Sequence, residues 1–327
     1  MARRILIMCA ALVVATAALA DERMYVVPLK PDPPIAVDGE LQDWAPVPGA
    51  VAVQGAEHVT WGASNWTGPQ DLGGIVHLAW RREGLYLGVE VTDDNVTQTQ
   101  RGPTVYRGDH IELFLDIDPD LENPRSIYGP GRFQFALSPG NFGRTGDPLF
   151  DLPPEAYPYE PQSGSVEDIQ LAASRTPQGY NLEAFIPFAL VGLATPTPGT
   201  LVTGEVAISD TDSPEPAQES FMTLSTERWE ANPSRFIPWL LGDASGQATP
   251  PPRRIVIADT LEIKAGQQIQ AGFNAPAIPP GKAGYLFLRA RVIFPKPAGY
   301  HTNALRLFLN DSPVEGARLT NRPPTST

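Results

Sequence analysis

The feature that most constrains this chain is a period-two alternation carried by many short runs. Leu85, Leu87, Val89 and Val91 alternate with Tyr86, Gly88, Glu90 and Thr92, and Phe133, Phe135 and Leu137 alternate with Gln134, Ala136 and Ser138. Successive side chains of a strand point to opposite faces, so each run should offer one face to a core and a wetter face outward. Gly74 to Trp80 and Leu85 to Val91 are joined by Arg81-Arg82-Glu83-Gly84, which reads as a hairpin with a Gly-containing loop. Tyr180, Leu182, Ala184 and Ile186 repeat the pattern, and Pro187 closes that strand. With 36 Pro and 29 Gly among 327 residues, and few apolar runs at helical spacing, the expected fold class is all-β. An antiparallel β-sandwich, jelly-roll or immunoglobulin-like, is the expected architecture. A hydrophobic share of 42% is enough for one large core or two modest ones.

The first twenty residues are of another kind. Arg3 and Arg4 precede an apolar run from Ile5 to Leu19, and Ala18-Leu19-Ala20 supplies the small-x-small pattern cut by signal peptidase. Residues 1–20 therefore read as a secretory signal peptide, with the mature chain beginning near Asp21 and a secreted, periplasmic or cell-surface location. The run is short for a bilayer span, so no membrane insertion is expected after its removal. The single cysteine, Cys9, lies inside it, which leaves the mature part without disulfides or thiolate metal ligands. Export would also remove two arginines and no acid, moving the formal charge from -13 to -15. So acidic a chain repels phosphate backbones and anionic lipid, and nucleic acid is excluded as a partner.

Residues 21–248 read as one unit. Thr249-Pro250-Pro251-Pro252 opens a Pro-rich linker over 249–254. Alternation resumes at Ile255 to Ile257, Leu261 to Lys264, Tyr285 to Phe294 and Leu305 to Asn310. Four or five strands are thin for a closed sandwich. Residues 255–327 are thus either the start of a second β domain, incomplete if the chain comes from a longer parent, or an accessory layer on the first.

One segment raises a functional question. Val105 to Asp116 reads VYRGDHIELFLD: Ile111, Leu113 and Leu115 point to a core, and His110, Glu112, Phe114 and Asp116 point the other way. By itself that second face reads as an ordinary solvated one. It would also suit a polar ligand, since Tyr106 and Arg107 lead into it.

Other segments shift the balance: VDGELQDW from Val37, VHLAWRREGLYLGVEVTDD from Val76, GYNLEAFIP from Gly179, GEVAISD from Gly204 and RWEANPSRFIPW from Arg228. In this order and spacing, over about residues 34 to 243, the chain resembles carbohydrate-binding module family 9. The resemblance implies a β-sandwich that grips a mono- or oligosaccharide between two aromatic faces, without catalysis. It places the rings at Tyr106 and Trp229 and puts Glu112 on the sugar hydroxyls, with Asn232 within reach of the same ligand. Tyr106 stands where the family has tryptophan, and Ala136 where it has an arginine donor. The chemistry is sound on its own terms: pyranose C–H patches pack on aromatic rings, and equatorial hydroxyls need fixed acceptors and donors. Trp61 and Trp66, in the loop HVTWGASNWTGPQD, are an alternative platform or plugs at the end of the sandwich.

The resemblance also implies structural calcium, the one cofactor in view. Asp116, Asp118 and Asp120 alternate as hard-cation ligands do, although Pro119 and Leu121 stand where a calcium loop needs flexibility, and a solvated acidic loop reads better. Asp93 and Asp94, at a strand end, are open to the same two readings, turn former or ligand. No enzyme is expected. His58, His77, His110 and His301 lack ligand spacing, no nucleophile or zinc motif occurs, and pairing Asp109 with Glu112 or Glu183 as glycosidase acids carries no information in so acidic a chain. Two further readings stay open. One is a structural or docking sandwich of a larger surface protein, with further domains as partners. The other is a haem-binding electron-transfer sandwich, for which Met24 and Met222 would be the only methionine ligands beyond the signal and Met222 reads as core.

Overall fold

The computed structural model describes residues 24–120, 124–147, 149–213, 217–226, 232–248, 305–309 and 312–319. The chain divides into two units, and Ala17–Arg253 forms one of them. Its strands are β1 (Tyr25–Val27), β2 (Val51–Val53), β3 (Val59–Trp61), β4 (Leu72–Arg81), β5 (Gly84–Asp93), β6 (His110–Asp116) and β7 (Arg132–Ser138), followed by β8 (Glu155–Glu160), β9 (Gln170–Thr176), β10 (Gly179–Pro187), β11 (Leu201–Asp210), β12 (Ser220–Thr223) and β13 (Ile237–Leu241). They make two sheets. One has the order β1-β13-β11-β6-β7-β8, extended by β12 on β11 and β3 on β12, and the other is β2-β4-β5-β10-β9. All pairings are antiparallel except β1 with β13. The expected all-β sandwich is the fold.

The alternation does what strand geometry requires. Leu87, Val89 and Val91 of β5 and Leu182 and Ile186 of β10 meet Ile111, Leu113 and Leu115 of β6 and Val206 and Ile208 of β11 in one core between the sheets. Side chains of this size contribute about 1.5–3 kcal/mol each on full burial. The β4–β5 connection is tighter than expected: Arg81 and Gly84 pair directly, leaving Arg82 and Glu83 as the turn.

The outer face of the five-stranded sheet is closed by the VDGELQDW segment. Trp44, only 2% exposed, lies across β5 and packs with Ile35, Ala79 and Tyr86. A Cβ on Gly88 would come within 2.6 Å of the Trp44 ring, so the glycine is what lets indole and strand approach. Glu183, on β10, fixes the segment through Asp38 N (3.0 Å), Gly39 N (2.8 Å) and Trp44 Nε1 (2.8 Å). The motif is structural.

The other unit is represented among the described residues by β14 (Leu305–Leu309) and β15 (Ser312–Leu319), an antiparallel pair. The expected strand at Leu305 to Asn310 matches β14. The expected signal segment at 1–20, the expected linker at 249–254 and the remaining expected strands of 255–327 lie outside the described residues.

Candidate functional site

The outer face of the larger sheet differs from the expectation of a wet surface. All seven residues of β6 are buried, including His110, Glu112, Phe114 and Asp116 on the outward side. Phe236 explains part of this: its ring meets Phe114 at 5.7 Å and Tyr128 at 6.5 Å. Phe114, Ala207 and Phe236 form a small apolar cluster there, with Tyr128 and Phe221 against it. A 3-10 turn at Pro233–Arg235 leads into Phe236 and so sits at the same cluster.

Beside this cluster lies a polar patch. Glu112, 6% exposed, has His110 Nε2 3.2 Å from one carboxylate oxygen and accepts from Gln134 Nε2 on the other (3.0 Å). Directly opposite Glu112 are Ala136 on β7 and, beyond it, Tyr157 on β8. Ala136 thus leaves room where the resemblance expects an arginine. Tyr157 and Tyr159 meet edge to face at 5.1 Å, and Tyr159 meets Tyr106 in the same manner at 6.5 Å. Tyr106 stands in a 3-10 turn, Gly102–Arg107, tied to the sheet by its own N–H donating to the Tyr159 hydroxyl at 3.1 Å. Its ring is 37% exposed and carries the Arg107 guanidinium 5.6 Å from its centroid. The result is a rim of three tyrosines over a carboxylate held on both oxygens.

The Tyr128 hydroxyl is buried without a protein partner. Burial, then the charges of Glu112 and Glu160, hold it protonated well above the ordinary tyrosine range. It is an unpaired donor within the influence of Glu112 and Glu160. A carboxylate has about four lone-pair positions, so Glu112 keeps acceptor capacity beyond its contacts with Gln134 and His110.

Of the four expected sugar contacts, Tyr106 and Glu112 lie on this face. Asn232 precedes the Pro233–Arg235 turn and caps it, its side-chain oxygen accepting from Ser234 N (3.0 Å) and Ser234 Oγ (2.8 Å); that oxygen is committed to the turn. Trp229 lies outside the described residues. Trp66, half buried, donates to Leu72 O and packs on the core, whereas Trp61 is 43% exposed. Met222 is wholly buried in the core, as its sequence context suggested.

The expected metal ligands do not gather. Asp116 is buried against Arg132, whose Nε lies 2.9 Å from one oxygen, while the other accepts Asp118 N; Asp118 and Asp120 are exposed. An acid already neutralised by arginine is a poor cation ligand. Carboxylates gather instead in two overlapping triads, Asp93–Asp210–Asp212 and Asp71–Asp94–Asp212, each with oxygens within 4.8 Å of one another. Burial, then neighbouring carboxylates, push Asp210 up to about 8 and Asp212 to about 6. An oxygen-only, anionic donor set with buried unpaired atoms fits a hard cation such as calcium.

A model of the family described as carbohydrate family 9 binding domain-like matches residues 47–241. The chain belongs to this family. Carbohydrate-binding modules of family 9 are a non-catalytic binding family. Solved structures similar to the chain include a family 9 module from Caldicellulosiruptor kristjanssonii in complex with cellotriose, at 18% identity and TM-score 0.48, covering 74% of this chain and 100% of that one. A second, from the same organism in complex with glucose, has 19% identity and TM-score 0.49, covering 70% and 100%. No curated protein matches the chain. Within this family 9 sandwich, Tyr157, Tyr159, Gln134 and Tyr128 are the residues near Glu112 and Tyr106 that sequence reasoning did not single out. Tyr157 and Tyr159 had a signal, their own alternation in EAYPYE, while Gln134 was visible only as the outward partner in a strand read for its phenylalanines.

Proposed function

We propose that the sandwich binds a mono- or oligosaccharide non-covalently on the outer face of its larger sheet, with Tyr106 as one stacking ring and Glu112 as the acceptor of sugar hydroxyls. The observation that carries this reading is Glu112 itself: a nearly buried carboxylate on an outward strand face, held by His110 and Gln134 beneath a rim of three tyrosines. A buried charge of this kind is costly unless its oxygens are used, and a ring of equatorial hydroxyls uses them. Family membership supports the ligand class. Trp229 supplies the second ring in this proposal, and Asn232 contributes its amide nitrogen, since its oxygen caps the turn. An exported chain, for which Arg3, Arg4 and Ala18-Leu19-Ala20 argue, would serve as an accessory module in polysaccharide breakdown.

Each aromatic platform should contribute about 1 kcal/mol, so affinity is modest and gains from multivalent display. Titration of the full chain with a panel that includes glucose and cellotriose should quench tryptophan fluorescence saturably. Trp229→Ala should remove the quenching while leaving the thermal melt in place. Identical titration curves for variant and wild type would overturn the role given to that ring.

A further inference from the structure

His110 stands between the two contacts that the sugar face offers, the turn of Tyr106 and the carboxylate of Glu112. It is fully buried at the head of β6. Its Nδ1 lies 2.7 Å from Gly108 O, and its Nε2 lies 3.2 Å from one carboxylate oxygen of Glu112. Gly108 ends the Gly102–Arg107 turn that carries Tyr106. One imidazole therefore bridges the support of the stacking ring and the acceptor of the sugar hydroxyls.

Both of its partners are acceptors. A carbonyl oxygen has no proton to give, and neither has an ionised carboxylate. A neutral imidazole carries one N–H and one lone pair, so it can serve only one of them and must turn its lone pair on the other. Doubly protonated, the ring donates to both. The surroundings favour that second proton, because Glu112 is in contact with the ring and Glu160 of β8 lies across from Gln134. Ser209 of β11, opposite His110, and Ala207 and Ala136, on either side of Glu112, are uncharged. Tyr157, Tyr159 and Tyr128 are the tyrosines nearest Glu112, and burial holds the hydroxyls of the last two protonated above the ordinary tyrosine range. Arg107, the charged residue of the turn, lies over the Tyr106 ring, and Asp109 turns its carboxylate to Thr97 N and Thr211 N.

Loss of that proton acts on one side of the ring. Gly108 is fixed: its N–H donates to Val105 O at 3.2 Å, and a Cβ on it would collide with Gln98 Oε1. The contact to Gly108 is also the shorter of the two. A neutral ring therefore keeps its Nδ1–H on Gly108 and faces Glu112 with the Nε2 lone pair, which repels the carboxylate. We propose that His110 is a positioning residue for sugar binding: as an imidazolium it ties Glu112 to the turn of Tyr106, and on losing a proton it releases the carboxylate and weakens the site. The effect on affinity rests on the sugar reading above; the charge of the ring does not.

The test is calorimetric titration of the full chain with glucose and cellotriose at about pH 5.5, 7 and 8.5, with nitrogen NMR of the His110 ring recorded without sugar. Both ring nitrogens should be protonated at the lowest pH. Binding should weaken about fivefold or more towards the highest, and binding heats in buffers of different ionisation enthalpy should show proton uptake there. Glu205 and the Asp93–Asp210–Asp212 cluster also titrate in this range, so His110→Gln, which keeps them, is titrated in parallel. Its neutral amide should make binding weak at the lowest pH and remove the loss seen on going higher. If His110→Gln fails to fold, the ring nitrogens and the proton uptake of the wild type decide. A ring that is neutral at the lowest pH, wild-type affinity that is constant with pH, or the same pH dependence in His110→Gln overturns the proposal. An imidazolium in a chain that binds neither sugar at any pH leaves the tie between turn and carboxylate standing and removes the sugar reading instead.

Discussion

At the scale of single residues, this chain uses buried carboxylates in three distinct ways. Glu183 is a structural acceptor: three donors from one loop converge on it, and Trp44 is 139 positions away in sequence. Charge-assisted hydrogen bonds contribute about 1.5–3 kcal/mol each, so Glu183→Ala should cost about 3 kcal/mol or more and release Trp44 from its fixed environment. Denaturant melts, with the near-ultraviolet signal of Trp44 as a local reporter, check this; a loss under about 1 kcal/mol would deny Glu183 its anchoring role. Asp116 is paired with Arg132, and Glu112 is held by donors yet left facing outward. None of these fates is written in the residue type. Alternation told which strand face each acid would take, but its partner comes from elsewhere in the chain, which is why Asp116, read in the sequence as part of a solvated acidic loop or as a cation ligand, is an ion-pair partner in the fold.

At the scale of elements, β6 and β11 show how far periodicity carries. The inward set of β6, Ile111, Leu113 and Leu115, was legible because a strand has only two faces, and Val206 and Ile208 of β11 meet it in the core. The outward set of β6 was misread as wet, because Phe236 and Tyr128, which cover Phe114, carry no periodic signal. Glu205, on the outward side of β11, shows what such cover does. It is fully buried, accepts from Ser225 N at 3.2 Å, and burial raises it to about 7, the hydrogen bonds opposing the shift only in part. Its folded-state value lies above the unfolded one, so the folded chain holds this proton more tightly. That contribution to stability is complete below about pH 4 and is lost as pH rises through about 7. Glu205→Gln stays neutral throughout. Urea unfolding across pH 4 to 8 should therefore show the wild type losing on the order of 3 kcal/mol relative to the variant. Parallel profiles would mean that Glu205 ionises in the fold as freely as in the unfolded chain.

At the scale of the whole sandwich, its two outer faces are put to different uses. VDGELQDW covers that of the five-stranded sheet, with Gly88 making room for Trp44, and so leaves the outer face of the larger sheet as the one with tyrosines, a held carboxylate and an exposed ring. The order of segments along the chain made the family legible without the structure. The joining of Tyr106 to Tyr159 and the acidic cluster were not, since each assembles from strands and loops distant in sequence. The measurement that bears most directly on the account is calorimetric sugar titration of the full chain in three variants: Tyr106→Ala, Glu112→Gln and, as the exposed tryptophan of β3, Trp61→Ala. The account predicts binding weakened about fivefold or more by the first two and unchanged by the third. Binding that survives the loss of Tyr106 and Glu112, or that disappears with Trp61, would contradict it.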